Sequence, residues 1–156
     1  MKIQRMVKIP QDVSCFLFGP RLTGKSTLIK GALRDVPHWE VNLLINKVFL
    51  KFHREPSLFY AEAKFQIQEN GIKTIFVDEI QKIPMLLDEI HSLIEEHKVQ
   101  FVLSGSSARK LKRVHANLLG GRSLIFTIFP FTYFELKSKF HLSYALQFGL
   151  LPGIYF

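Results

Sequence analysis

The segment from Gly19 to Ser26 reads GPRLTGKS and fits the spacing G-x-x-x-x-G-K-[ST]. The two glycines let the backbone turn where a Cβ would clash, so that the N–H groups of the loop converge on an anion. Lys25 is then placed to neutralise the β- and γ-phosphates of a nucleotide, and the Ser26 hydroxyl to bind Mg²⁺. We expect contacts with the nucleotide from the whole stretch: Gly19, Pro20, Arg21, Leu22, Thr23, Gly24, Lys25, Ser26 and Thr27.

Two acidic residues, Asp78 and Glu79, follow the apolar run TIFV. A carboxylate at a strand end binds Mg²⁺ through a coordinated water, and we predict this role for Asp78, with Ser26 as the other metal-site residue. Glu79 is placed to polarise a water molecule that attacks the γ-phosphate. Such pairs are often solvated turns, but the strand context and the position after the phosphate loop favour catalysis. We therefore predict Lys25 and Glu79 as catalytic residues of a hydrolase.

Two serines, Ser104 and Ser106, follow the apolar run FVL. If this strand neighbours the phosphate loop, a hydroxyl here reaches the γ-phosphate or the attacking water, and both serines are catalytic candidates. The alternative is that the serines only cap the next helix, a position that serine favours. The residues leave these two interpretations open.

Basic residues form a further set of candidates. One basic cluster has two interpretations. It contacts phosphates, either of a nucleic acid or of a neighbouring subunit's nucleotide, or it forms a solvated helix face. The cluster consists of Arg109, Lys110, Lys112 and Arg113. Arg122 follows two glycines, an arrangement that can place an arginine finger against a transferred phosphate. Whether it would reach its own nucleotide or that of a neighbour stays open.

The elements that must position these residues alternate between short apolar strands and helices. Strands are predicted at 13–18, 38–44, 73–77, 99–103 and 123–129. Helices are predicted at 25–34, 56–70, 84–94, 107–116 and, in turns, from about 130 to 148. Residues 46–49, NKVF, lack the final aspartate of an Asn-Lys-x-Asp guanine reader and are predicted as helix surface. This alternation predicts an α/β domain with a mostly parallel sheet of five strands.

Composition limits the class of protein. The chain has 156 residues, 47% apolar and 22% charged, which fits one globular domain. Its single cysteine, Cys15, excludes an internal disulfide and a multi-cysteine metal cage. The first residues lack the apolar segment of a signal peptide, and no apolar run is long enough for a membrane span. We therefore expect a cytoplasmic protein without membrane contact, and the net charge of +8 permits acidic partners.

Several blocks occur together in this chain, namely GPRLTGKST, VNLL, EPSLFYAEA, TIFVDEIQKIP, FVLSGSSARKL, LLGGR and IFPFTYFEL. With these blocks, over about residues 13–152, the chain resembles the prokaryotic AAA+ superfamily ATPases. These are predicted ATP-binding proteins that usually carry a C-terminal domain of unknown function. The resemblance implies a three-layer α/β/α P-loop NTPase fold, with the phosphate-loop strand between the fourth and fifth strands.

The resemblance also implies roles for residues. Lys25 and Ser26 would be Walker A residues, and Asp78 and Glu79 Walker B residues. Ser104 or Ser106 would be the sensor serine, and Arg122 the arginine of the GGR block. The implied ligands are ATP, ADP and Mg²⁺, and a homo-oligomer is expected as one partner arrangement.

Residues 1–150 are predicted as the ATPase core and residues 151–156 as the start of a linker. Family members continue here into a helical lid and a C-terminal domain, which would carry a second sensor arginine. The run GLLPG reads as a turn, and the apolar residues Ile154, Tyr155 and Phe156 are predicted to be exposed. The phenylalanines Phe126, Phe129, Phe131 and Phe134 are expected either in core and lid packing or in an exposed patch.

Two main functions follow from these residues. The first is a Mg²⁺-dependent ATPase core that acts as a conformational switch or motor for an attached domain or partner. The second is a nucleic-acid-binding module whose affinity is set by nucleotide, with contacts through the basic cluster at Arg109–Arg113. A fragment that binds ATP but barely hydrolyses it is a third interpretation.

Overall fold

A five-stranded, all-parallel sheet forms the centre of the computed structural model, which describes residues 3–109, 111 and 118–155. The strand order is β2-β3-β4-β1-β5, so the strand before the phosphate loop lies between the fourth and fifth strands. This confirms the predicted fold class. The strands are β1 (Ser14–Phe18), β2 (His38–Asn42), β3 (Thr74–Asp78), β4 (Gln100–Gly105) and β5 (Ser123–Thr127).

Helices connect the strands as crossovers, which parallel pairing requires. The helices are α1 (Lys25–Ala32), α2 (Asn46–Arg54), α3 (Pro56–Glu69), α4 (Leu86–Glu96), α5 (Tyr133–Leu136), α6 (Leu142–Phe148) and α7 (Pro152–Tyr155). Three-residue or four-residue 3₁₀ turns lie at Ile80–Lys82, Leu118–Gly121 and Lys137–Lys139. The predicted helix at 107–116 lies largely outside the described residues. No helix in the described ranges has both the length and the apolar character needed to cross a membrane.

The strands β1, β3 and β4 are buried along their whole length because helices cover both faces of the sheet. Alternate side chains of β1 face opposite sides. Phe16 and Phe18 pack in the core cluster that includes residues of α3 and α4, whereas Cys15 and Leu17 pack against α1. Burial raises the pKa of the Cys15 thiol to about 12, so this cysteine is an unreactive packing residue.

The N-terminal segment is joined to the C-terminal part by a buried ion pair. Arg5 Nε lies 3.1 Å from Glu135 Oε1, and the two side chains are only 9% and 4% exposed. The Arg5 guanidinium also lies 4.8 Å from the centre of the Phe131 ring. Met6 N–H donates to the same Glu135 oxygen at 3.0 Å. We call Arg5, Met6, Phe131 and Glu135 the clasp.

The C-terminal part differs from the prediction in one respect. Tyr155 is buried, not exposed, because its hydroxyl accepts a hydrogen bond from His141 N–H and donates one to Lys139 O. Ile154 is exposed as predicted, and Phe156 lies outside the described residues. The predicted turn at 149–153 is partly helical, since α7 begins at Pro152.

The phenylalanines of this part divide between core and surface. Phe131 is buried, Phe126 is partly buried, and Phe129 and Phe134 are exposed. Exposed apolar side chains also occur on β5 and α6, as at Leu124 and Leu146. Of the two alternatives, packing in the core therefore applies to Phe131 and Phe126, and exposure at the surface applies to Phe129 and Phe134.

Candidate phosphate-binding site

The loop between β1 and α1 begins at a glycine that has no room for a side chain. A Cβ at Gly19 would lie 2.2 Å from Ile128 O. The chain around it is held by backbone hydrogen bonds to both neighbouring strands: Gly19 N–H donates to Gly105 O at 3.2 Å, and Ile128 N–H to Phe18 O at 2.7 Å. The loop is thus anchored where β4, β1 and β5 end.

The rest of the loop turns through two residues with positive φ, Leu22 at 65° and Gly24 at 87°. Thr23 is fully buried, and its hydroxyl donates to Pro20 O at 2.8 Å. Leu22 is 73% exposed and Arg21 is also exposed, so both side chains lie at the protein surface. The backbone of the loop, and not these two side chains, therefore faces the interior of the turn.

Lys25 lies inside the loop as the first residue of α1. Its side chain is buried, and Nζ donates to Gly19 O at 2.8 Å and to Pro20 O at 2.9 Å. Burial lowers the pKa of Lys25, and the nearby carboxylates of Glu79 and Asp78 act in the opposite direction. A cation is thus held at the loop with two acidic groups beside it.

Asp78, at the end of β3, accepts hydrogen bonds from two serines. Ser26 Oγ donates to Asp78 Oδ2 at 2.9 Å, and Ser104 Oγ donates to Oδ1. Hydroxyl and carboxylate oxygens are the hard donors that Mg²⁺ prefers, and Mg²⁺ commonly takes only one or two protein ligands beside water and phosphate oxygens. The donor atoms of the Ser26–Asp78 pair therefore fit a magnesium ion, and the metal site stays a prediction.

Glu79 follows Asp78 in the left-handed region, with φ of 62°. Its backbone N–H donates to Ser104 Oγ at 3.1 Å, so Ser104 contacts both acidic residues. The Glu79 carboxylate accepts a hydrogen bond from Gln81 Nε2, which also donates to Ser106 Oγ at 3.2 Å. Thus Ser104 contacts the acidic pair directly, whereas Ser106 is joined to it only through Gln81.

Gln81 is a site residue that the residue-level reasoning missed. The sequence contained an indication that Gln81 belongs to the site, because Gln81 is part of the VDEIQKIP block that also contains Asp78 and Glu79. Residues two apart do not normally meet in a helix. Here the left-handed conformation of Glu79 and the following 3₁₀ turn bring the two side chains together.

Arg122 lies far from this site. It directly precedes β5, which runs parallel to β1, whereas the phosphate loop follows the other end of β1. A five-residue strand spans about 16 Å, so the structure does not bring Arg122 to the loop of its own chain. Its Nε pairs with Glu95 on α4, and its Nη1 donates to Gly120 O at 3.2 Å.

Of the four residues in the predicted basic cluster, the structure describes Arg109. Arg109 is exposed, and its backbone N–H donates to Ser107 Oγ at 3.2 Å. Lys110, Lys112 and Arg113 lie outside the described residues. The cluster therefore stays a prediction from sequence.

A groove of about 1570 Å³ runs along α1 and the N-terminal segment. It includes the end of the phosphate loop, where Thr23, Gly24 and Thr27 line it. Beyond the loop it is lined by Arg5 and Phe131 of the clasp. Thr27 is exposed on α1, so this predicted contact residue faces the groove and not the acidic pair.

Comparison with known proteins agrees with this geometry. A family model described as an AAA domain matches residues 11–137, and the chain belongs to this family. Its fold is that of the AAA+ P-loop ATPases, and family and fold support nucleotide binding. No protein of curated function matches the sequence.

Solved structures share the fold at low sequence identity. The Orc1 protein of Aeropyrum pernix in complex with DNA is 19% identical, with a TM-score of 0.55 over 83% of this chain and 42% of that one. The Aeropyrum pernix ORC2 protein in its ADP form is 13% identical, with a TM-score of 0.56 over 87% and 45%. The Walker-type ATPase PABY2304 of Pyrococcus abyssi is 18% identical, with a TM-score of 0.51 over 75% and 49%. This chain thus spans under half the length of each.

Proposed function

We propose that this chain binds Mg·ATP and hydrolyses it to ADP and phosphate, and that hydrolysis moves an attached domain or partner. One observation carries the proposal: Lys25, Ser26, Asp78 and Glu79 meet at the same edge of the sheet. The hydrogen bond of 2.9 Å between Ser26 and Asp78 joins the loop to the acidic pair. Each of these side chains has a separate role in phosphoryl chemistry.

The phosphates would lie in the loop, between its backbone N–H groups and the N-terminus of α1. Lys25 would stabilise the negative charge of the β- and γ-phosphates, and Ser26 with Asp78 would hold Mg²⁺. The metal, when bound, neutralises charge that develops on the phosphate oxygens. The groove beside Gly24 and Thr27 offers space for the nucleoside, because it opens from the end of the loop along α1.

Glu79 would orient and polarise the attacking water. Its backbone is fixed by Ser104 and its carboxylate is held by Gln81, so both parts of the residue have a defined position. A general base contributes roughly 10²–10⁴-fold in rate when it is correctly placed. Loss of Glu79 should therefore affect hydrolysis much more than binding.

Arg122 would act only in the site of a neighbouring copy. The direction of β5 places Arg122 at the edge of the sheet opposite its own phosphate loop. An arginine that contacts a phosphate in this arrangement has to come from another subunit, which requires a homo-oligomer. We therefore propose the oligomer as the active form and Arg122 as the residue that one copy contributes to the next.

Two variants test the proposed function. Lys25→Ala should abolish binding of Mg·ATP because it removes the charge that faces the phosphates. Glu79→Gln should keep the binding and lower hydrolysis by about 10²-fold or more, because the amide cannot act as a base. Binding is measured by calorimetry, and hydrolysis by release of phosphate.

A matched control lies on the same helix. Lys30 is an exposed residue of α1, paired with Glu40 at 2.9 Å. Lys30→Ala should bind and hydrolyse Mg·ATP like the parent chain. The proposal is wrong if the folded parent gives no heat of binding with Mg·ATP, or if Lys25→Ala hydrolyses ATP at the parent rate.

A further inference from the structure

The side chain of Gln81 bridges the ends of two strands. It lies in the 3₁₀ turn Ile80–Lys82 after β3, and Ser106 follows β4. Gln81 Nε2 donates to Glu79 Oε2 and, at 3.2 Å, to Ser106 Oγ. Because a carboxylate only accepts hydrogen bonds, the nitrogen of the amide, and not its oxygen, must face Glu79.

The other end of this amide shows how the orientation is maintained. Gln81 Oε1 is buried and has no hydrogen-bond partner among the described residues. A Cβ on Gly105 would lie 2.6 Å from this oxygen, so the glycine leaves the space that the amide occupies. A buried acceptor without a partner is unfavourable. The amide keeps this orientation because its nitrogen donates hydrogen bonds to Glu79 and Ser106.

We propose that Gln81 is a positioning residue that holds the Glu79 carboxylate in place for the attacking water. This inference rests on the proposed hydrolysis, in which Glu79 is the base. Gln81 makes no hydrogen bond to Lys25, Ser26 or Asp78 in the structure. Its loss should therefore lower kcat while the affinity for Mg·ATP stays unchanged.

Gln81→Met tests this division, because methionine has a similar length and cannot donate a hydrogen bond. We expect binding of Mg·ATP to stay within about twofold of the parent and kcat to fall on the order of 10- to 100-fold, the usual effect of a misplaced catalytic group. Gln68→Met is the matched control, since Gln68 is an exposed residue of α3. It should behave like the parent in both measurements.

A spectroscopic measurement tests the contact without any activity. The side-chain NH₂ resonances of Gln81, assigned in a ¹⁵N-labelled chain from their loss in Gln81→Met, should move in Glu79→Ala because a charged acceptor is removed. The same spectra report whether each variant is folded. The inference is overturned if these resonances do not move, or if Gln81→Met hydrolyses ATP at the parent rate.

The two proposals fail in different ways. If the folded parent binds no Mg·ATP or does not hydrolyse it, the proposed function fails even where the Gln81 resonances respond to Glu79→Ala. If the parent hydrolyses ATP and Gln81→Met lowers affinity and kcat together, Gln81 supports binding, and the positioning role is wrong.

Discussion

At the scale of residues, Ser104 is the common hydrogen-bond partner of Asp78, through its carboxylate, and of Glu79, through its backbone N–H. It is fully buried, donates to Asp78 and accepts the backbone N–H of Glu79. Ser106 is half-buried, and its hydroxyl accepts a hydrogen bond from Gln81. The two serines, equivalent candidates in the sequence, therefore have different surroundings and should respond differently to substitution.

Ser104→Ala should lower the free energy of unfolding by about 1–3 kcal/mol, because it leaves a buried carboxylate oxygen and a backbone N–H without partners. Ser106→Ala should cost less than about 1 kcal/mol, since Gln81 Nε2 keeps its hydrogen bond to Glu79. Urea denaturation of both variants gives the comparison. Equal losses of stability would contradict the assignment of Ser104 as the buried anchor.

The grouping of Lys25, Ser26, Asp78 and Glu79 could be predicted from the sequence because the main signals are local, and the roles of these residues stay predictions. The spacing from Gly19 to Lys25 specifies a loop whose function depends on its own backbone. The contact between Glu79 and Gln81 depends on an unusual backbone angle, which no pattern of residue types specifies. Tyr155 was placed wrongly because its burial depends on the backbone groups of Lys139 and His141, distant in sequence.

At the scale of elements, the turn between β1 and α1 depends on close approach of β5. Gly19→Ala would place a Cβ 2.2 Å from Ile128 O and 2.7 Å from Ile128 Cγ2. We expect this substitution to lower the free energy of unfolding by about 1–3 kcal/mol, the usual cost of overpacking. Chemical denaturation followed by circular dichroism measures it.

A second glycine provides the control. A Cβ at Gly153, in α7, meets no atom within 4 Å, and the backbone there does not have a positive φ. Gly153→Ala should therefore change stability by less than about 1 kcal/mol, and toward higher stability, because alanine favours the helix. If Gly19→Ala were as stable as Gly153→Ala, the contact with Ile128 would not restrict the loop.

The order of the elements was predictable, and the location of Arg122 at the opposite edge of the sheet follows from that order. In a parallel sheet, the residues that precede the strands lie at one edge, and the residues that follow the strands lie at the opposite edge. The predicted strands already placed Arg122 before β5 and the phosphate loop after β1. The location of Arg122 could thus have been derived from the predicted elements, whereas its pairing with Glu95 could not.

At the scale of the whole molecule, the clasp connects the start of the described chain to α5. Glu135→Ala would leave the buried charge of Arg5 without its carboxylate partner, and breaking a buried pair in this way costs about 3–5 kcal/mol. Burial already lowers the pKa of Arg5, which shows that this environment disfavours the charge. Urea denaturation should show the loss as an earlier midpoint.

An exposed ion pair gives the matched comparison. Lys51 and Glu62 join α2 to α3, with side chains 41% and 38% exposed. Glu62→Ala should cost no more than about 1 kcal/mol, because water solvates the remaining charge. A loss for Glu135→Ala no larger than that for Glu62→Ala would show that the clasp does not stabilise the molecule.

The position of β1 in the sheet has a consequence for how this protein is made. Cys15 pairs with Val102 on one side and Leu124 on the other, so β1 gains its neighbours only after the residues of β4 and β5 have been translated. During that interval an apolar segment stays uncovered, which makes pairing with foreign strands a hazard. Assembly of the loop after β1 with the ends of β4 and β5 therefore waits for residues that lie far downstream of the loop in the sequence.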